Sequence, residues 1–205
     1  MAQITVENDC GGIQGLKIVT PNVHGDDRGY FMETYQKQEF TGAGIDVEFV
    51  QDNQSSSKKG VLRGLHFQIH FPQSKLVRVV NGAVYDVAVD LRPGSATFGK
   101  WFGVLLTAQN KKQFFIPRNF AHGFLVLSDD AEFCYKVDDF WHPNDEAGIA
   151  WNDPEIGIAW PQLTGTYAGT PSAQGYRLED GTPLTLSDKD QKWSGITAYR
   201  KERNL

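Results

Sequence analysis

Between residues 60 and 137 the chain repeats one pattern: seven runs of five to nine residues, rich in Val, Leu, Ile, Phe and Tyr, at 60–68, 75–80, 83–91, 101–106, 113–117, 121–127 and 131–137. They recur about every 8–12 residues, and no 3.6-residue period interrupts them. Runs of that length can bury an apolar face only by pairing edge to edge, so they predict antiparallel sheets packed face to face or rolled into a barrel. Asn81-Gly82 stands between two of the runs and predicts a two-residue hairpin, because both central positions of such a turn need positive φ. The middle of the chain is therefore expected to be all-β.

The flanks are more mixed. A strand is predicted at 15–20, a polar turn at 24–29 leads into an aromatic strand at 30–35, and residues 36–44 read as a short helix capped at Gly42. Residues 47–54 begin with apolar alternation and end in a cluster of amides that includes Gln51 and Asn53. The serines at 55–57 and the lysines at 58–59 read as an exposed loop. Residues 163–185, rich in Gly, Thr and Pro, read as an excursion from the core. A Ser-capped helix is predicted from 186, since Ser187 is followed three residues later by Asp190, and Trp193 and Ile196 supply an apolar side.

A chain of 205 residues with 40 % hydrophobic and 12 % aromatic residues can bury one good core, so a single domain over 1–205 is expected. The formal charge of −5 argues against nucleic acid as a partner, and any anionic ligand must be met by a local group of Arg and Lys. Cys10 and Cys134 lie far apart without metal-ligand spacing, and no segment reads as a leader or membrane span. A cytoplasmic protein with no membrane partner is the expectation.

The stretch Gly60-Val61-Leu62-Arg63-Gly64-Leu65-His66-Phe67-Gln68 sets a cation and an imidazole into a run that otherwise reads as a buried strand. Histidine exchanges a proton near neutral pH with little tuning, which suits it to a general base. Arg63 and His66 differ by an odd number and would point to opposite faces of a regular strand, so a shared cavity requires a bulge, for which Gly64 is the candidate. His66 with His122 could instead be two ligands of a metal-dependent enzyme. Such sites call for a second histidine two residues after the first, where Gln68 stands here.

Eight blocks, GDDRGYFME at 25–33, VEFVQDN at 47–53, GVLRGLHFQ at 60–68, KLVRVVNGAVYDVAVDLR at 75–92, FFIPRNFAHGFLVL at 114–127, EFCYK at 132–136, GIAWND at 148–153 and LSDKD at 186–190, follow one another in an order that resembles the dTDP-4-dehydrorhamnose 3,5-epimerase family. The resemblance implies an all-β, cupin-type jelly roll, two packed antiparallel sheets enclosing a cavity, with short helices in the N-terminal third and at the C-terminus. It implies a dTDP-4-keto-6-deoxy sugar as substrate and inversion at carbons 3 and 5 through an enolate, with no cofactor and no metal. By the same resemblance His66 would be the base, Asp190 its carboxylate partner, Lys75 the cation at the enolate oxygen and Tyr135 the acid on the opposite face. Arg28, Glu33, Gln51, Asn53, Arg63, His122, Glu146 and Lys189 would hold the nucleotide diphosphate or frame the sugar. Arg28 and Glu33 would do so in the neighbouring chain, which implies a homodimer contacted through residues 1–35. An enzyme that inverts only one carbon, or a silent sugar-nucleotide binding module, would share much of this pattern. Base, acid and lysine together are more than binding alone requires.

Overall fold

The structure, a computed structural model, describes residues 3–205. Strands β1 (Ile4–Asn8) and β2 (Lys17–Pro21) are followed by a small hairpin, β3 (His24–Asp26) and β4 (Gly29–Phe31), and by helix α1 (Lys37–Gly42). The central run supplies β5 (Gln51–Lys58), β6 (Leu62–Gln68), β7 (Lys75–Asn81), β8 (Ala83–Asp90) and β9 (Trp101–Thr107). It continues with β10 (Gln113–Ile116), β11 (Phe120–Val126) and β12 (Asp130–Val137). Then come β13 (Glu146–Gly148), the short pair β14 (Leu163–Thr164) and β15 (Arg177–Leu178), and helix α2 (Ile196–Arg203).

Two antiparallel sheets result, one of six strands in the order β1-β2-β10-β7-β12-β5 and one of five in the order β13-β6-β11-β8-β9. Their inner faces meet in one apolar cluster, to which the first sheet gives Val77, Val79, Phe114, Ile116 and Phe133, and the second Val84, Ala88, Leu106, Phe120, Phe124 and Val126. Phe124 and Phe133 stack across it with centroids 4.3 Å apart. The packed antiparallel sheets are those expected from the strand spacing, their arrangement is the jelly roll that the family resemblance implied, and one short helix lies in the N-terminal third and one at the C-terminus.

Each outer face has its own cover. Helix α1 seats Phe40 beside Val19, Leu76 and Phe115 on the six-stranded sheet. The alternate residues of β6, β8 and β11, among them Leu65, Val87 and Leu125, are roofed by Trp151, Ile156, Trp160, Leu178, Leu184 and Ile196. Residues 163–185 are thus no excursion: they seal the back of the five-stranded sheet. Trp151 is anchored there by its indole N–H on the Pro171 carbonyl at 2.7 Å and by an edge contact with Tyr176.

Several local expectations are corrected. Residues 51–58 are all strand, with the serines and Lys58 inside β5, because an edge strand facing solvent needs no apolar alternation to pair. The aromatic strand at 30–35 is shorter than predicted and belongs to the β3–β4 hairpin. The first helix ends at Gly42, with Ala43 as its cap and the left-handed position taken by Gly44. No helix forms at 186–191: Asp190 N–H does reach Ser187 Oγ at 3.2 Å, but the motif closes only a turn. Helix α2 starts at Ile196 behind Gly195.

Candidate active site

The five-stranded sheet carries the imidazoles. His122 on β11 pairs with His66 on β6, and Phe124 with Arg63, so two residues of β6 stand opposite the single Gly123. That bulge restores Arg63 and His66 to one face, as the odd spacing required. Only glycine fits at its centre. Gly64 has φ +128°, and a Cβ there would sit 2.7 Å from Gly123 Cα and 2.8 Å from the His122 carbonyl oxygen.

The six-stranded sheet carries the opposing groups. Tyr135 pairs with Val77 and Val137 with Lys75 across β12 and β7, so Lys75 and Tyr135 share the inward face by period two. Between the sheets lies a cavity of about 660 Å³, a size suited to a small-molecule ligand. Lys75, Tyr135, His66, His122, Arg63 and Glu146 line it, and Lys189 and Asp190 from the segment after β15 close its rim.

His66 Nε2 lies 2.5 Å from Asp190 Oδ1, a short charge-assisted contact. Asp190 is almost fully buried, its other oxygen accepts from the Gly64 N–H at 3.4 Å, and the Trp193 indole N–H also reaches Oδ1, at 3.2 Å. Burial pushes the Asp190 carboxyl up, but hydrogen bonds from His66 and Trp193 outweigh it and hold the group below its ordinary value. With Nε2 engaged, Nδ1 is the nitrogen left for chemistry. It lies 3.9 Å from Glu146 Oε1, which in turn pairs with Lys189 Nζ at 2.7 Å.

Lys75 Nζ is lowered to about 8, because burial disfavours the ammonium more than the carboxylates of Asp86 and Glu146 favour it. Asp86 has no exposed surface, and both its oxygens lie 3.0 Å from His122 Nε2. Burial pushes the Asp86 carboxyl up and the His122 imidazole down, each partly restrained by the other. Burial also raises the Tyr135 phenol, with Arg63 opposing and Glu146 adding to the effect. The phenol therefore keeps its proton at neutral pH. A chemically useful asymmetry results, with a carboxylate-backed imidazole on one wall and a protonated phenol and an ammonium on the other.

Of the residues expected at the site, His66, Tyr135, Asp190, Lys75, Arg63, His122, Glu146 and Lys189 come together here. Gln51 and Asn53 do not line the cavity. They sit on β5 beside Tyr135, hydrogen-bonded to each other at 2.8 Å, and Gln51 Oε1 accepts from the Trp141 N–H. Arg28 lies in the exposed β3–β4 hairpin, paired with Asp26 at 2.5 Å, and Glu33 follows that hairpin outside the cavity of its own chain. Gln68 spends its amide on the Phe71 and Phe140 carbonyls and the His142 N–H. Sequence reasoning missed Asp86 and Trp141. The signal for Asp86 was a carboxylate at an inward position of a Val-rich strand, which demands a partner. Nothing in sequence singles out Trp141, which is 58 % exposed at the mouth of the cavity.

Comparison with known proteins shows the family of the chain. The family model for dTDP-4-dehydrorhamnose 3,5-epimerase matches residues 11–197. The dTDP-4-dehydrorhamnose 3,5-epimerase of Escherichia coli K12 is 52 % identical over 85 % of this chain and 95 % of its own. The crystal structure of the Legionella pneumophila dTDP-6-deoxy-D-glucose-3,5-epimerase in complex with dTDP-4-keto-L-rhamnose superposes with a TM-score of 0.84, at 44 % identity, covering 97 % of this chain and 96 % of that one. A 3'-monoepimerase from Streptomyces bikiniensis is similar at 31 % identity and a TM-score of 0.77, over 93 % of this chain and 87 % of its own. The chain belongs to the dTDP-4-dehydrorhamnose 3,5-epimerase family.

Proposed function

We propose that this chain is an isomerase that converts dTDP-4-dehydro-6-deoxy-D-glucose to dTDP-4-dehydro-L-rhamnose by inverting carbons 3 and 5. The ketone at carbon 4 acidifies the hydrogens on both neighbouring carbons, because the electrons left behind delocalise onto its oxygen as an enolate. His66 Nδ1 takes the proton, while Nε2–H stays on Asp190, which holds the ring and stabilises the imidazolium that forms. Lys75 supplies positive charge at the enolate oxygen, where charge develops as the C–H bond breaks. Tyr135 returns a proton from the opposite wall, and the configuration inverts.

Arg63, Lys189 and His122 frame the sugar and its diphosphate, with Glu146 setting the position of Lys189. The assignment rests above all on the imidazole–carboxylate pair of one sheet facing the phenol and ammonium of the other across one cavity. Arg28 and Glu33 serve a neighbouring copy: the β3–β4 hairpin presents Tyr30 and Phe31, 58 % and 66 % exposed, and an apolar pair that open is suited to burial in a homodimer. Each chain forms one domain and works in the cytoplasm. That compartment suits its two free cysteines, and among the described residues no helix is long and apolar enough to cross a membrane.

NMR of the 4-keto substrate in deuterated water tests the assignment. The unmodified protein is expected to place deuterium at both carbons, His66→Ala at neither, and Tyr135→Phe to exchange in part with turnover impaired. Label at one carbon alone would make the chain a mono-epimerase. Uptake undiminished by His66→Ala would remove the base from the mechanism.

A further inference from the structure

Trp193 belongs to no part of the cavity, yet its indole is built into the support of the base. Its Nε1–H lies 3.2 Å from the same Asp190 oxygen that His66 Nε2 reaches at 2.5 Å. The indole also meets the His66 ring edge to face, at 6.4 Å between centroids. Gly148 pairs with His66 across β13 and β6, and a Cβ on it would fall 2.5 Å from Trp193 Cε2 and Nε1. The strand beside the base is thus stripped of a side chain where the indole lies. The turn bearing Trp193 is pinned by the Ala150 N–H on the Ser194 carbonyl at 3.0 Å. On its far side the indole lines a separate cleft with Phe67, Gly148 and Tyr199, so it walls the pair off from that opening.

We propose that Trp193 is a positioning residue of the epimerase reaction, which holds Asp190 against His66 by a shared hydrogen bond and draws part of the carboxylate's charge away from the imidazole. The inference rests on the assignment of His66 and Asp190 as the base pair. The oxygen that stabilises the imidazolium divides its lone pairs between two N–H donors. Removing the indole N–H concentrates charge on His66 and makes the ring a stronger base that retains its proton to higher pH. It also leaves Asp190 with one restraint fewer, so the ring is aimed less well at the reacting carbon.

Trp193→Phe keeps an aromatic wall and removes the donor. The acidic limb of its kcat/KM profile is expected to move up by about half a pH unit, a fraction of the roughly one to two units that a hydrogen bond to a charged group represents, because the lost bond acts on His66 only through Asp190. Its kcat is expected to fall roughly three- to tenfold with KM within about twofold. Introduced into Asp190→Asn, W193F should add nothing further, since the two act through one oxygen. In the unmodified protein the Trp193 indole N–H resonance should titrate with the midpoint of the acidic limb, a measurement that does not require the variant to fold. An unmoved limb with unchanged kcat, additive losses in the double variant, or an indole resonance that ignores the titration would each overturn the proposal while leaving the base pair in place. Full activity in Asp190→Asn alone would overturn the base pair, and this inference with it.

Discussion

Replacing Lys75 by Met should stabilise the protein and disable it at once. The ammonium is held at about 8 from an ordinary 10.5, chiefly by burial. At about 1.4 kcal/mol per pH unit, that fall represents about 3 kcal/mol borne by the folded state whenever Lys75 is charged. Between pH 8 and 10.5 the unfolded chain holds this proton and the fold does not, so stability rises with pH across that window. Below pH 8 both states are protonated and the full penalty applies. Lys75→Met is therefore expected to gain up to about 3 kcal/mol over the unmodified protein at pH 7, shrinking to about 1 kcal/mol at pH 10. Urea unfolding of the two proteins side by side at both pH values measures the difference, because other titrating groups cancel. In the same variant kcat should fall about 10²–10³-fold, the usual loss when a group aimed at a developing oxyanion is removed. In the unmodified enzyme kcat/KM should decline above pH 8 as the ammonium is lost, and Lys75→Arg, which keeps its charge, should carry any residual activity past that limit. A profile flat to pH 9.5, or a gain of Lys75→Met over the unmodified protein no larger at pH 7 than at pH 10, would refute the argument.

The rest of the site yields further expectations. Asp86→Asn removes a charge that favours the Lys75 ammonium, so the basic limb of kcat/KM should shift below pH 8; a limb that stays put would separate Asp86 from the lysine. Gly64→Ala forces a Cβ against the Gly123 backbone at positive φ and should lower stability by about 2–4 kcal/mol in urea titration, with loss of activity in the protein that still folds. Trp151→Ala empties the buried anchor of residues 163–185 and should lower stability by about 3–5 kcal/mol. Limited proteolysis should then cut first within that segment, and cleavage elsewhere would contradict its role as a cover.

The parts of the fold set by short-range chemistry were open to sequence reading. Apolar runs of strand length and the Asn81-Gly82 turn located the central strands, and the parity of Arg63 and His66 required the bulge found at Gly64. The errors fall where local pattern and tertiary role diverge. Residues 51–58 lack apolar alternation because β5 is an edge, paired with β12 alone and polar on its outer face. Ser187 and Asp190 mimic a helix start, yet the Asp190 carboxylate is committed to His66, Trp193 and Gly64 from a sheet more than a hundred residues earlier and from the turn behind it. Residues 163–185 lack periodicity since they drape irregularly over the sheet, with contacts made by single anchors such as Leu178 and Leu184 rather than by a regular face. Asp86 escaped notice because its neighbours Val84, Val87 and Val89 made the strand look wholly apolar.

The same buried carboxylate explains how an acidic chain keeps a cation charged at a buried position. An isolated ammonium at the depth of Lys75 would shed its proton near neutral pH, and a bare carboxylate at the depth of Asp86 would gain one. Set close together with His122, each offsets part of the other's desolvation. Burial holds the imidazole down, so His122 can give its Nε2–H to Asp86 as a neutral ring, leaving the carboxylate's charge to favour Lys75. Glu146 adds a smaller pull on the same ammonium while its own oxygen is tied to Lys189. The ammonium thus sits close to its titration point, charged through neutral pH yet poorly compensated. A group in that condition gains most when new negative charge appears beside it. In the proposed mechanism an enolate oxygen is such a charge, so the cost of burying the ammonium would be relieved along the reaction path and would favour the transition state over the bound ketone.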